Sequence, residues 1–165
     1  MSKAFTSEET AEAPVLVRPR PPLPEGAFNY VTPAGLAALV AELEALQRAR
    51  AGLASKGDER KRDLQLADGQ LSQLQARVTT AVVVDPRAQP RGEVRFGAIV
   101  VVEGEASAQR TYQLVGVDEA DVKQGKIAFT APLAGALLGK KVGEAVTVLT
   151  PRGDEELTVI SIAYW

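Results

Sequence analysis

The 165-residue sequence contains no cysteine and no histidine. Without thiols and imidazoles, the chain cannot form disulfides, zinc sites that need these ligands, or the Ser-His and Cys-His pairs that activate nucleophiles. These absences exclude most classes of enzyme that act through their own side chains.

The charges of the chain nearly balance, with 19 Lys and Arg against 21 Asp and Glu, a net charge of −2 and a pI of about 5.3. A protein that holds duplex nucleic acid by neutralising phosphates needs a strong basic excess. Contact with nucleic acid is thus expected only through a partner. No apolar run approaches the length of a membrane span, and the first residues show no apolar signal region. We expect a cytoplasmic monomer with no membrane partner.

Residues 1–27 are predicted to form a flexible tail. Five prolines interleave there with Arg18 and Arg20, which favours extended conformations and forbids a helix. Two hypotheses stay open for this tail. It is either a solvated leader without a role or a short docking peptide for a partner.

Apolar residues then follow a heptad pattern twice, on either side of a charged segment, residues 55–63. The first set is Leu36, Leu39, Leu43, Leu46 and Leu53, and the second is Leu64, Ala67, Leu71, Leu74 and Val78. This pattern predicts an antiparallel coiled-coil hairpin over residues 28–80. Thr32 and Pro33 are typical of a helix N-cap and first position. The helices are expected to run to about Lys56 and from about Glu59 to Arg77.

After Thr80 the pattern changes to period two and β-branched residues dominate, which predicts strands. The expected strands are residues 81–84, 94–102, 110–117, 126–130, 145–150 and 155–164. Those after residue 92 are expected to form an antiparallel sheet domain over residues 93–165. A connecting segment, residues 81–92, with a short strand and a linker, is expected to join this domain to the hairpin. One short helix from Pro132 to Gly139 is expected to cover the sheet. The predicted fold class is α+β.

Several stretches of this C-terminal region resemble the Gre family of bacterial transcript-cleavage factors. They are Phe96 to Val102, Tyr112 to Asp121, Ala131 to Lys140, and Val142 to Glu144 with Thr150 to Gly153. The stretch from Asn29 to Gly35 is similar to the start of the Gre coiled coil, especially in its GreB branch. The resemblance implies an FKBP-like fold for the C-terminal domain. It also implies binding to bacterial RNA polymerase, at the rim of the secondary channel on the largest subunit, through Asp118, Glu119, Asp121 and Pro132.

The resemblance further implies a role for the far end of the hairpin, which in Gre factors enters the channel. Two carboxylates there help the polymerase to hold a second Mg²⁺ ion and its water, so that the polymerase cleaves its own backtracked RNA. The factor lends ligands and the polymerase is the enzyme. A protein of this kind has no cofactor of its own and shares Mg²⁺ with the polymerase only if its tip is active.

The tip of the hairpin, residues 55–63, departs from the family pattern. Asp58 stands where the first acid belongs, but Lys61 replaces the second acid and Arg62 the following asparagine. An ammonium group at that position repels the ion that the acid would bind. The hairpin also lacks roughly one heptad per helix, which shortens it by about 10–12 Å. We therefore expect a polymerase-binding regulator with weak or no stimulation of cleavage.

Two alternatives stay open. The protein could be a functional cleavage factor that uses Asp58 with Glu59 or Asp63, or, more remotely, an FKBP-like peptidyl-prolyl isomerase.

The basic residues of the tip, Lys56, Arg60, Lys61 and Arg62, also have two interpretations. They are either simply solvated or in contact with acidic channel walls, RNA phosphate or the aspartates that bind the polymerase's metal ions.

Overall fold

The computed structural model describes residues 13–53 and 57–165, apart from the side chain of Asp58. Within these residues the chain forms three α-helices and seven strands. In chain order they are β1 (Asn29–Val31), α1 (Pro33–Ala51), α2 (Asp58–Thr80), β2 (Ala81–Val83), β3 (Ile99–Glu103), β4 (Gln109–Val115), β5 (Lys126–Ala128), α3 (Pro132–Leu137), β6 (Ala145–Thr150) and β7 (Gly153–Ala163). The mixed α+β class predicted from the sequence is confirmed.

Helix α1 begins as its sequence predicts. The hydroxyl of Thr32 accepts the backbone N–H of Gly35 at 3.0 Å, and Pro33 occupies the first helical position. A proline costs nothing there because its N–H would have no partner in the helix. The helix ends at Ala51, earlier than the expected end near Lys56, because Gly52 follows and glycine is a poor helix former.

Helix α2 packs along α1 through the leucines of the heptad pattern. Leu39 and Leu74 are buried together with Val31, and Leu43 and Val78 pack beside them. Nearer the tip, the Nε atom of Arg50 on α1 lies 2.5 Å from the Oδ1 atom of Asp68 on α2. Since late residues of α1 meet early residues of α2, the helices run in opposite directions. We refer to α1 and α2 as the helix pair.

Strands β1 and β2 pair in parallel at the base of the helix pair, with Val31 opposite Val83. Asn29 adds a hydrogen bond from its side-chain amide to the carbonyl of Arg77 at 2.9 Å. The predicted strand at residues 81–84 therefore lies outside the main sheet, and its partner β1 was not predicted. This small sheet ties the start of α1 to the end of α2.

The main sheet has five strands in the order β5-β4-β3-β7-β6. Three of its pairs are antiparallel, but β4 and β5 are parallel. The prediction of a wholly antiparallel sheet is therefore wrong at this edge. The connection from β4 to β5 is not a tight turn, since it includes a 3₁₀ helix at Val122–Gln124 that returns the chain to run alongside β4 in the same direction.

The core of this sheet domain lies between the sheet and α3. Val100, Leu114 and Val159 from three strands are buried against Ala134 and Leu137 of the helix. The expectation that the short helix covers the sheet is confirmed.

None of the helices in the described part of the chain is long and apolar enough to cross a membrane.

Candidate functional site

The described part of the tip, residues 57–63, is the exposed start of α2. Gly57 precedes it with φ of 101°, a conformation that favours glycine, and Asp58 is the first helical residue. Glu59 and Asp63 are four residues apart, so they share one face of the helix. Arg60, Lys61 and Arg62 lie between them in sequence, and all five side chains are exposed. Lys56 and the side chain of Asp58 fall outside the described residues.

This end of the helix pair does not fit a magnesium ion with the residues that the structure describes. Magnesium takes hard oxygen ligands in an octahedral arrangement. Among the described residues, no group of three or more acidic side chains could hold a metal ion. The two described carboxylates of the tip, Glu59 and Asp63, stand beside three cationic side chains.

At the opposite end of the helix pair, the acidic loop, residues 118–121, contacts the start of α1. The Oε2 atom of Glu119 accepts the backbone N–H of Thr32 and that of Gly116, each at 3.1 Å. Its Oε1 atom accepts a short hydrogen bond from the Thr32 hydroxyl. A carboxylate at a helix N-terminus is stabilised by the helix dipole. Glu119 therefore acts as a cap for α1 that is supplied by the sheet domain.

The neighbouring Asp118 is almost wholly enclosed, with 3% of its side chain exposed. Its Oδ1 atom accepts a hydrogen bond from the Nε atom of Arg20 at 2.8 Å, and its Oδ2 atom lies 3.6 Å from the Nε atom of Arg77. The guanidinium group of Arg20 also donates two hydrogen bonds, of 2.8 and 3.1 Å, to the carboxylate of Glu42 on α1. The hydrogen bonds to Glu42 and Asp118 raise the pKa of Arg20 above its ordinary value, although burial opposes this.

The other two predicted polymerase-binding residues are differently placed. Asp121 starts the 3₁₀ helix, where its carboxylate accepts the backbone N–H of Lys123 at 3.0 Å and the side-chain amide of Gln124 at 2.9 Å. Pro132 is exposed at the start of α3. Of the four residues, Asp118 and Glu119 are thus engaged inside the molecule, while Pro132 is open to a partner.

Sequence reasoning missed an aromatic cluster at the edge of the sheet domain. The ring of Tyr30 lies 5.8 Å from that of Phe96 and 5.5 Å from that of Phe129. These three rings line a cleft of about 420 Å³. The one signal in the sequence was the spacing of two residues between Phe28, just before β1, and Tyr30 within it. This alternating pattern is too short to predict a strand.

The fold and this site define a class of α+β protein in which a helix pair is clamped at its base to a five-stranded sheet domain. A family model described as "Transcription elongation factor, GreA/GreB, C-term" matches residues 89–164. By residues 89–164, the chain carries a domain that is similar to the C-terminal domain of the GreA/GreB transcription elongation factors.

Individual relatives agree with this assignment. The chain is 39% identical over 99 residues to transcription elongation factor GreA of Alkalilimnicola ehrlichii, a match that covers 59% of this chain and 63% of that protein. It is 42% identical over 98 residues to GreA of Thermodesulfovibrio yellowstonii, covering 59% and 62% of the two chains. The chain thus spans slightly less than two thirds of these relatives. The expected GreB-like character stays a prediction.

Solved structures give weaker likenesses. A GreA/GreB factor from Nitrosomonas europaea shares 23% identity with a TM-score of 0.43, covering 82% of this chain and 98% of that one. GreA factor homolog 1 (Gfh1) of Thermus thermophilus shares 22% identity with a TM-score of 0.41, covering 83% and 99%.

Proposed function

We propose that this protein binds bacterial RNA polymerase at its secondary channel, in the cytoplasm, and regulates elongation with weak or no stimulation of RNA cleavage. The observation that carries the proposal is the composition of the tip. Three consecutive exposed cations, Arg60 to Arg62, lie in the first two turns of α2, where cleavage would need two converging carboxylates.

The reach of the helix pair supports the same proposal. Helix α1 has 19 residues and α2 has 23. At about 1.5 Å per residue, the arm extends roughly 28–34 Å from its base. A metal–ligand bond is only about 2 Å long, so an arm that is shorter by two helical turns cannot place a ligand without a compensating shift in docking. In this proposal, the helix pair is a coiled coil that occupies the channel without completing its metal site.

Docking is assigned to the sheet domain, for which we propose the FKBP-like architecture of the Gre family. Pro132 presents an exposed, rigid apolar surface at the start of α3, with half-buried Leu133 beside it. Asp121, a half-buried residue, lies at the end of the acidic loop. We propose that these groups, with Asp118 and Glu119, form the polymerase-binding surface, and that nucleic acid is contacted only through the complex.

The proposal is tested with backtracked elongation complexes and core RNA polymerase. The protein is expected to bind the polymerase and to leave the rate of RNA cleavage close to that of the polymerase alone. A GreA factor assayed in parallel provides the positive control. Strong cleavage that disappears when Asp58 is changed to alanine would contradict the proposal, and so would the absence of binding.

The second candidate is a true cleavage factor that pairs Asp58 with Glu59 or Asp63. It is favoured by one observation, the position of Glu59 and Asp63 on one exposed face of α2. In that case, cleavage should be strong in the unmodified protein and should vanish when Glu59 and Asp63 are both replaced by their amides. Replacement of Arg60 and Arg62 by glutamine serves as the matched control on the same turn.

A third candidate, a peptidyl-prolyl isomerase, has one observation in its favour, the cleft lined by Tyr30, Phe96 and Phe129. Fold likeness alone does not carry this activity. We expect no turnover of a proline-containing test peptide above the uncatalysed rate. Turnover that is lost on changing Phe96 to alanine would restore this candidate.

A further inference from the structure

The strap, residues 17–21, lies across the helix pair and ends at the acidic loop. At one end, Val17 packs so closely on Gly69 of α2 that a Cβ atom on the glycine would lie 2.5 Å from the valine Cγ2 atom. At the other end, Arg20 joins Glu42 and Asp118, and the carbonyl of Pro21 accepts a hydrogen bond from Arg77. The strap therefore bridges both helices and the sheet domain.

The strap covers the most enclosed carboxylate of the proposed docking surface. The Asp118 side chain is 3% exposed, and its Oδ2 atom has no hydrogen-bond partner. A buried carboxylate needs compensating charge and hydrogen bonds. Arg20 supplies the 2.8 Å hydrogen bond to Asp118, whereas Arg77 approaches only to 3.6 Å. Without the strap, Asp118 would be open to another donor and still incompletely satisfied.

We propose that Glu42 and Asp118 form a receptor for an arginine side chain, filled by Arg20 in the free protein and by a guanidinium group of the partner in the complex. The strap and the partner then compete for the same carboxylates. This inference rests on the proposed function, because it takes RNA polymerase as the partner and the acidic loop as its docking surface.

The contacts of the strap are few and largely exposed, so the strap can dissociate from the helix pair. Its residues form no helix or strand, and only Val17 and Arg20 are half-buried while Arg18, Pro19 and Pro21 are exposed. The Glu42 side chain that holds Arg20 is 51% exposed, and exposed ion pairs contribute little to stability. An arginine of the partner can replace Arg20 with the same planar, two-pronged geometry, which a lysine lacks.

A reversible lock on the strap provides the test. The Cβ atom of Val17 lies 3.5 Å from the position of a Cβ atom on Gly69, within the range of a disulfide. The chain has no cysteine of its own, so the double variant Val17→Cys, Gly69→Cys can form only this intramolecular bond. The full-length variant is compared oxidised and reduced for binding to core RNA polymerase, after mass spectrometry has shown the state of the thiols.

The oxidised variant is expected to bind the polymerase about tenfold more weakly than the reduced one, because a locked strap removes the binding-competent state. An independent pair of variants releases the strap without cysteines. Arg20→Ala is expected to tighten binding several-fold. Arg18→Ala removes the same charge from an exposed side chain that makes none of these contacts, and binding is expected to stay unchanged.

The outcomes separate this inference from the proposed function. Equal polymerase binding by the oxidised and reduced forms, or failure of the disulfide to form, would overturn the competition and leave the proposed function standing. A tightening by Arg18→Ala equal to that by Arg20→Ala would also overturn it, because bulk charge would then explain the effect. Absence of binding by the unmodified protein and by every variant would overturn both.

Discussion

The α-carbon of Gly35 lies so close to the carboxyl group of Glu119 that a methyl group on it would stand 2.1 Å from the glutamate Cδ atom. A side chain at position 35 would therefore have to displace the Glu119 carboxylate. Gly116 meets the same constraint from the loop side, where an added Cβ atom would lie 2.6 Å from the carbonyl oxygen of Tyr30. Two glycines therefore make possible the contact that joins the helix pair to the sheet domain.

The change Gly35→Ala is expected to lower the free energy of unfolding by about 1–3 kcal/mol, because the added methyl group forces Glu119 out of its hydrogen bonds. Urea unfolding at neutral pH measures the effect. The matched control is Gly135→Ala in α3, where a Cβ atom meets nothing within 4 Å. At that site, alanine is expected to be neutral or to stabilise by up to about 1 kcal/mol. Equal losses at both positions would contradict the close contact.

Thr32 provides a second test of the same joint, because its hydroxyl both accepts the N–H of Gly35 and donates to Glu119. The change Thr32→Ala is expected to cost about 1–2 kcal/mol of unfolding free energy, since it removes the helix cap and leaves Glu119 with one donor fewer. Thr32→Ser keeps the hydroxyl and is expected to lose much less. The pair is compared by urea unfolding. A serine variant as unstable as the alanine variant would show that the hydroxyl is not what matters.

Local signals in the sequence predicted the elements that depend on neighbours along the chain. Thr32 and Pro33 marked the start of α1 because capping involves residues three positions apart. Heptad spacing placed Leu39 and Leu74 in one interface. The expected end of α1, near Lys56, was wrong. Heptad spacing shows which residues face the partner helix but does not mark the last helical residue, and the helix ends before Gly52.

Contacts between distant segments left no such signal. Strand β1 has only three residues, and its parallel pairing with β2 joins positions separated by the whole helix pair. The parallel pair of β4 and β5 was missed because strand patterns specify faces and not directions. The acidic loop stood out in the sequence as a set of charges, and its role in binding a partner stays a prediction. The hydrogen bond from Arg20 to Asp118 of this loop could not be predicted, because nothing in a proline-rich segment indicates which residue its arginine will contact.

Tyr164 couples stability to alkaline pH. Its hydroxyl donates to the carbonyl of Glu93 at 2.5 Å and accepts the N–H of Arg95 at 2.9 Å, and burial raises the pKa of the phenol above 10.0. In the unfolded chain the phenol ionises at a lower pH, so the stability it contributes is complete below pH 10 and is lost as the pH rises through the folded value.

The change Tyr164→Phe is expected to cost about 1 kcal/mol at pH 7, and the difference from the unmodified protein is expected to shrink above pH 10. Urea unfolding at pH 7, 9 and 11 measures this difference. An absorbance titration of the variant should lack the phenol whose pKa burial raises. A stability difference that stays constant through pH 11 would contradict the assignment.

The ion pair of Arg50 and Asp68 is expected to appear in the titration of the carboxylate. The hydrogen bond from Arg50 lowers the pKa of Asp68 below its ordinary value of 3.8. Because the folded value is the lower one, the contribution of this pair is present above pH 3.8 and is lost as the pH falls through the folded value. In a carboxylate NMR titration, Arg50→Ala is expected to return Asp68 towards its ordinary value. Arg48→Ala, two residues earlier and on a different face of α1, is the control and should leave the pKa of Asp68 unchanged.

The tip chemistry is expected to respond to a single charge reversal. The change Lys61→Glu places a carboxylate where the Gre pattern has its second acid, so RNA cleavage in backtracked complexes is expected to rise above that of the polymerase alone. Under the proposed function, in which the arm is shorter than that of a Gre factor, the rise should stay below that given by a GreA factor.

Arg60→Glu makes the same change in net charge one residue earlier, about 100° around the helix, and is expected to give no increase. Cleavage is measured as the rate at which labelled transcript shortens, at a factor concentration that saturates binding. If both variants raised cleavage equally, relief of positive charge would be the cause. The lack of a carboxylate at position 61 would then not explain weak cleavage.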